Sequence, residues 1–300
     1  MQLAGRGSSS QTAQKLRGMK LPWSKSRPSY TETGDRQRPT GTESAQPEDP
    51  GLAAKLARAQ GALMGVMVAD AAGASLEILD RQPTAKEVEQ ACMLENGRFP
   101  AGGVSDDSEL TLALALGLTE DPQAGPLLER CAKNYIKWRH VPPTSMGRAT
   151  QNAFSADPAQ RHQAAEMLAR TAVLNAGSEA NGALMRASPL GIALHNLKDD
   201  HIASIAGLDG PEPTGRGALW TPFPQALEQV LLLGGDTDTN AAICCGMLGA
   251  LWGVQDIPGP MKAAVLSCED WRPAWLMPRQ VPELAKALLQ LREAQLLSLS

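Results

Sequence analysis

Gly61-Ala62-Leu63-Met64-Gly65-Val66-Met67-Val68-Ala69-Asp70-Ala71-Ala72-Gly73-Ala74 is apolar throughout except for one acid. Gly61, Gly65, Ala69 and Gly73 recur every four residues, which on a helix forms a stripe of small groups down one face. Such a stripe lets a second helix approach closely. The helical spacing extends back to Gly51, so a helix is predicted over Gly51–Ala74. Outward from it, helices are predicted over Ser105–Gly117, Leu127–Arg139, Ala159–Asn175, Leu184–Leu197, Pro224–Leu233, Thr239–Gly253 and Pro282–Leu297. In Ala159–Asn175 the buried candidates are Ala164, Ala165, Met167, Leu168, Ala172 and Val173. No alternating strand pattern stands out, and Ala and Leu dominate over β-branched residues. The fold class is therefore all-α. Gly207–Pro224 and Gln255–Pro282 are rich in Gly and Pro and read as loops, either plain connections or the border of a substrate mouth.

The chain has 300 residues, enough for a substantial core. Residues 1–50 hold eight of the 28 basic and five of the 32 acidic groups, so the body carries 20 against 27, a net −7. An acidic body argues against nucleic-acid binding and suits a protein that holds cations. Residues 1–50 contain twelve Ser/Thr, and every charged group before Glu32 is positive. That composition buries too little apolar surface to offset ordering entropy, so this segment reads as a disordered tail preceding a domain at 51–300. It is a solvated spacer, an address, or a docking arm. The five cysteines (Cys92, Cys131, Cys244, Cys245, Cys268) form no metal-binding spacing. Reduced thiols point to a cytosolic setting, bacterial or that of a host cell if the chain is an exported effector. The apolar runs Leu110–Leu118 and Ala241–Val254 fall short of spanning length, so no membrane association is expected.

Two acidic clusters carry the chemistry. One is Gly102-Gly103-Val104-Ser105-Asp106-Asp107-Ser108-Glu109; the other is Gly234-Gly235-Asp236-Thr237-Asp238-Thr239-Asn240. Each begins with a glycine pair and runs into a helix. One such cluster alone is more often a capped helix start, since Ser105 can cap and acids favour the first turn. A helix needs one cap, however, and repeated aspartates at one helix mouth repel unless a cation neutralises them. Two such mouths, supplying hard oxygen donors, suit a pair of Mg²⁺ or Mn²⁺ ions. Asp70 is costly to bury in its apolar helix unless hydrogen-bonded or paired. Glu77, just past the end of that helix, is a metal ligand or a general base. Glu179-Ala180-Asn181-Gly182-Ala183-Leu184-Met185-Arg186 offers backbone N–H groups to a phosphate, with Arg186 either functional or paired with an acid.

On these residues the chain resembles the ADP-ribosylglycohydrolase family, whose type member reactivates dinitrogenase reductase. The resemblance covers roughly residues 53–254. It rests on Asp70-Ala71-Ala72-Gly73 with Glu77, on Ser105-Asp106-Asp107-Ser108, and on Tyr135-x-x-Trp138 followed by a glycine loop. It rests further on Asn181-Gly182-Ala183-Leu184-Met185-Arg186 and on Gly234-Gly235-Asp236-Thr237-Asp238-Thr239-Asn240. It implies an orthogonal all-α domain with a dinuclear metal cleft. The implied metal ligands are Ser105, Asp106 and Asp107 on one side and Asp236, Asp238 and Thr239 on the other. The implied catalytic groups are Glu77 and Asp107, and the implied ADP-ribose contacts are Met146, Gly147, Arg148, Asn181 and Gly182. Where members acting on ADP-ribosyl-arginine carry Asp-Ile-Gly or Asp-Val-Gly, this chain has Ser145-Met146-Gly147.

The function implied is removal of ADP-ribose from a modified side chain, arginine first, with serine and O-acetyl-ADP-ribose as other acceptors. The partners would be an ADP-ribosylated protein and the product ADP-ribose. A binding module, blocking an ADP-ribosyltransferase or toxin through the basic tail, is the second reading. A metal phosphohydrolase is the third; no Walker loop supports it, and His140, His162, His195 and His201 fit no triad.

Overall fold

The computed structural model describes residues 50–79, 81–95, 97–154, 164–196, 221–268 and 271–291, all within the unit Pro47–Ser300. The expected tail, apart from Pro50, lies outside the described residues. So do the Gly207–Pro224 loop up to residue 220 and the last nine residues. Among the described residues every regular element is helical. They are α1 (Pro50–Ala74), α2 (Ala85–Gln90), α3 (Asp106–Thr119), α4 (Leu127–His140), α5 (Arg148–Ala153) and α6 (Ala164–Leu174). They continue as α7 (Ser188–Ala193), α8 (Phe223–Leu233), α9 (Thr237–Trp252), α10 (Gly259–Ser267) and α11 (Val281–Leu289). The all-α expectation holds.

The small-residue stripe is where α1 meets α9, the most extensive helix pairing among the described residues. A methyl group at Gly61 would run into the carbonyl of Gly249, and one at Gly249 into the carbonyl of Gly61. One at Gly65 would strike the Cys245 carbonyl, and one at Gly73 the backbone of Asp238. Two backbones this close leave no room for a side chain at Gly61, Gly65, Gly73 or Gly249. From residue 59 to residue 74, α1 is buried almost without interruption. It is also long and apolar enough, by length and composition alone, to cross a membrane. This corrects the expectation that no stretch of the sequence reaches that length. Its apolar character is accounted for by its place at the centre of the helical core, where Leu63, Met67 and Val68 pack.

Several stretches differ from expectation, among them the unpredicted Ala85–Gln90 and Arg148–Ala153. Leu184–Leu197 breaks into a 3₁₀ turn (Leu184–Arg186) and α7, because Pro189 restarts the helix at its first turn. Gln255–Pro282 contains α10, which begins Gly259-Pro260; proline there is a start signal rather than a breaker. In α6, Val173 is 77% exposed and Ala172 is also exposed, so the apolar face expected there does not bury those two. The unpredicted α2 is set by a capping box. The Thr84 hydroxyl accepts from the Glu87 amide, and the Glu87 carboxylate accepts from the Thr84 amide at 2.8 Å.

Candidate active site

The end of α1 organises both acidic clusters. Asp70 is fully buried, and its carboxylate accepts from the Ser105 amide at 3.0 and 3.1 Å and from the Ser108 amide at 3.0 Å. Those amides open α3, so Asp70 caps another helix across 35 residues of sequence. Ser105 adds the local cap, its hydroxyl accepting from the Asp107 amide at 3.3 Å. One turn further along α1, the Thr237 hydroxyl donates to the Gly73 carbonyl at 2.9 Å and pins the start of α9. Gly234 and Gly235 precede it with φ of 71° and 73°, a left-handed pair that favours glycine. One helix end thus fixes the N-termini of α3 and α9 side by side.

Fixing the two N-termini makes the acids converge. Carboxylate oxygens of Asp70, Asp107 and Asp238 lie within 4.8 Å of one another, and so do those of Glu77, Asp236 and Asp238. Asp238 belongs to both groups and is buried, as are Asp106 and Asp107. Asp236 stands at the N-cap of α9 yet makes no side-chain cap bond. It accepts instead from the Asn181 amide group at 2.9 Å. Capping therefore accounts for Ser105 and Asp70 and leaves Asp106, Asp107, Asp236 and Asp238 without that explanation.

Burial holds the Asp70 carboxyl up at about 7 despite its hydrogen bonds, and holds Asp238 up at about 9 with help from Asp70 and Glu77. Asp107 is pushed well above the ordinary range, first by burial and then by Asp70 and Asp238. Asp107 Oδ1 and Ser108 Oγ are buried without a hydrogen-bond partner. Close carboxylates that hold protons for want of a counter-charge, with an orphaned oxygen among them, fit divalent cations.

A pH prediction follows. The unfolded chain ionises near 3.8, whereas folded Asp70 and Asp238 keep their protons up to about 7 and about 9. Their contribution to stability is complete below 3.8 and is lost as pH rises through those folded values. The metal-free Tm is expected to fall between about pH 5 and about pH 8, and Mn²⁺ to restore it at the upper end by displacing protons. Calorimetry with EDTA or Mn²⁺ measures this; a metal-free Tm that climbs over that interval would contradict it.

A cleft of about 820 Å³ opens over the acids. Of the expected residues, Glu77, Asp106, Asp107, Asp236, Asp238, Thr239, Met146, Gly147, Arg148, Asn181 and Gly182 all line it. Ser105 does not; its hydroxyl is taken by the cap and faces Asp107 Oδ2 at 3.2 Å. Of the two readings of Arg186, pairing with an acid is not seen among the described residues; its guanidinium lies over the Tyr135 ring at 5.2 Å. None of the described residues of Gln255–Pro282 lines the cleft. Arg98 and Ser145 line it as well, the first without any signal in the sequence and the second marked there only as a departure from the family pattern. Arg98 reaches Glu77 at 4.0 Å and donates to the Thr144 carbonyl at 2.9 Å, bridging the cleft mouth. Ser145 donates its hydroxyl to Asp106 Oδ1, tying the glycine loop to the acids. Glu77 is half-exposed; burial raises its carboxyl, Arg98 lowers it, and Asp236 and Asp106 raise it further.

The family model described as ADP-ribosylglycohydrolase matches residues 52–218 and 215–296. A protein of Acanthamoeba polyphaga mimivirus named as an ADP-ribosyl glycohydrolase is 28% identical over 136 residues, which is 43% of this chain and 39% of the viral one. The match thus spans about two-fifths of that relative's length. A solved structure titled "ADP-ribosylglycohydrolase-related protein complex" is similar with a TM-score of 0.54 and 23% identity, over 80% of this chain and 99% of the other. That likeness is one of fold.

Proposed function

Because the chain belongs to the ADP-ribosylglycohydrolase family, we propose that it is a metal-dependent hydrolase releasing ADP-ribose from a modified protein side chain, arginine first. The observation that carries the reading is the convergence of Asp107 and Asp238 with Asp70, and of Asp238 with Glu77 and Asp236, in two acid groups whose members other than Asp70 line one cleft. Asp106, Asp107, Asp236, Asp238 and Thr239 would hold two Mg²⁺ or Mn²⁺ ions. When bound, such ions supply positive charge that orients the distal ribose diol and acidifies a nearby water.

The chain's own groups do the rest. Asn181 holds Asp236 in place and Ser145 holds Asp106, so both carboxylates meet the ligand already oriented. Arg148 and the Met146-Gly147 backbone lie along the cleft wall, where the diphosphate would run. Glu77, at the mouth and with its carboxyl raised by burial, suits the general base. Water oxygen bonds to the anomeric carbon as the carbon–nitrogen bond breaks. The electron pair stays with the nitrogen of the substituted guanidinium, which departs as neutral guanidine, and Glu77 takes the water proton.

Ser145 stands where arginine-directed relatives carry an aspartate, which favours a second reading in which the cleft binds ADP-ribose with slow turnover or takes another acceptor. One assay separates these. Protein mono-ADP-ribosylated on arginine, and separately on serine, is incubated with the chain and Mg²⁺, with and without EDTA. Release of ADP-ribose from arginine, abolished by EDTA, is the expected result. Release from serine alone would reassign the acceptor. No release, with ADP-ribose nevertheless binding, would favour the binding reading; neither release nor binding would sink both.

A further inference from the structure

Glu109 is fully buried one turn along α3 from Asp106, in a position no hydrolytic step uses. Three donors converge on its carboxylate. The Trp138 indole N–H, from the last turn of α4, donates to Oε2 at 2.6 Å. The Arg272 guanidinium donates through Nε to Oε1 and through Nη2 to Oε2 at 3.1 Å, a two-pronged pairing. Arg272 itself is nearly buried, its side chain 9% exposed. Its remaining donor, Nη1, reaches the Pro142 carbonyl at 2.8 Å. Pro142 opens the loop that delivers Ser145, Met146 and Gly147 to the cleft wall, and Ser145 is the residue bonded to Asp106.

From this geometry we infer that Arg272 is a positioning residue. Anchored on Glu109, it clamps the Pro142–Gly147 loop to the helix that carries Asp106 and Asp107. The guanidinium fork is what the place demands. It satisfies both Glu109 oxygens and still has a third donor turned towards Pro142; a lysine ammonium has neither the planar fork nor that reach. The clamp joins segments 163 residues apart in sequence, so the Trp271-Arg272 turn shapes a cleft that it does not line. The consequence for ADP-ribose rests on the reading proposed above; the clamp itself does not.

Removing Arg272 alone strands a buried anion, and R272M is expected to fold poorly. The informative variant is E109Q/R272M, which removes both charges together. If Arg272 served stability only, neutralising the pair would restore everything. As a positioning residue it predicts a split. Tm returns to near wild type, because the buried anion and its counter-charge are removed together. The amides of residues 144–147 exchange with deuterium at least about fivefold faster, and ADP-ribose binds about tenfold more weakly, since the Pro142 carbonyl has lost its donor. R272K, keeping one contact, falls between. Unchanged exchange at residues 144–147 in a folded E109Q/R272M protein would overturn the clamp, as would ADP-ribose affinity that recovers along with Tm. Wild-type protein that fails to bind ADP-ribose at all would sink the functional reading, and the ligand-free exchange result would then decide the clamp alone.

Discussion

Replacing Asp238 with asparagine is expected to cut ADP-ribose release on the order of 10³-fold while making the metal-free protein more stable at neutral pH. The two effects share one cause. Asp238 is the residue common to both acid groups, and its neighbours are carboxylates. Asparagine is nearly isosteric and keeps an oxygen for the Thr239 amide, which donates to Asp238 Oδ1 at 2.9 Å. It removes only the negative charge. Cation binding loses its shared ligand, so activity and the Mn²⁺-induced rise in Tm both disappear. In the metal-free protein the same substitution removes a group held up at about 9 by burial, Asp70 and Glu77. The stability that wild type loses between the ordinary carboxylate range and neutral pH is then no longer lost. The expected gain at pH 8 is roughly 2–4 kcal/mol. Melting curves in EDTA and in Mn²⁺, beside the release assay, test both halves. An active D238N protein, or one less stable than wild type in EDTA, would contradict the assignment.

The second large effect belongs to the helix seam. Gly249→Leu is expected to destabilise the chain by about 3 kcal/mol or more, a sizeable share of the ~5–15 kcal/mol that ordinarily separates folded from unfolded. A Cβ at Gly249 meets the backbone of Gly61, and backbone cannot swing aside as a flexible side-chain end can. Relief would require α1 and α9 to separate. Asp70 and Gly73, which hold the starts of α3 and α9, ride on that same helix. Any folded remnant of the variant should therefore bind Mn²⁺ weakly as well. Gly177→Ala is the control, since nothing lies within 4 Å of the added methyl. Circular dichroism and Mn²⁺ titration of both proteins read the outcome; a Gly249→Leu chain as stable as wild type would show that the seam is looser than described.

The seam was legible because glycine at every fourth position has few other uses in an apolar helix, and Gly61, Gly65 and Gly73 do sit against α9. The acidic clusters were legible for a related reason: four aspartates exceed what two helix caps need, and Asp236 makes no cap bond at all. Asp70 was visible as an anomaly, an acid in an apolar helix, but its role was not. That depends on which amides fold onto it, and Ser105 and Ser108 lie 35 and 38 residues away. Ser105 was legible both as a cap and as a ligand; its hydroxyl does close the local cap. Arg98 and Arg272 carried no local signal, since a surface-type residue in a loop acquires meaning only from what it reaches in space; Ser145 stood out as a departure from the family pattern, but its bond to Asp106 did not. The missed α10 shows a different weakness: counting prolines marked Gln255–Pro282 as loop, when Pro260 at a first turn marks a helix start.

The most direct test is diffraction from crystals soaked in millimolar Mn²⁺, with anomalous maps phased on the protein. The expected result is strong anomalous density between Asp107 and Asp238, extending towards Asp106 and Asp236, that vanishes in the D238N variant. An empty map there at saturating Mn²⁺, with the four carboxylates in place, would mean that these acids hold no cation.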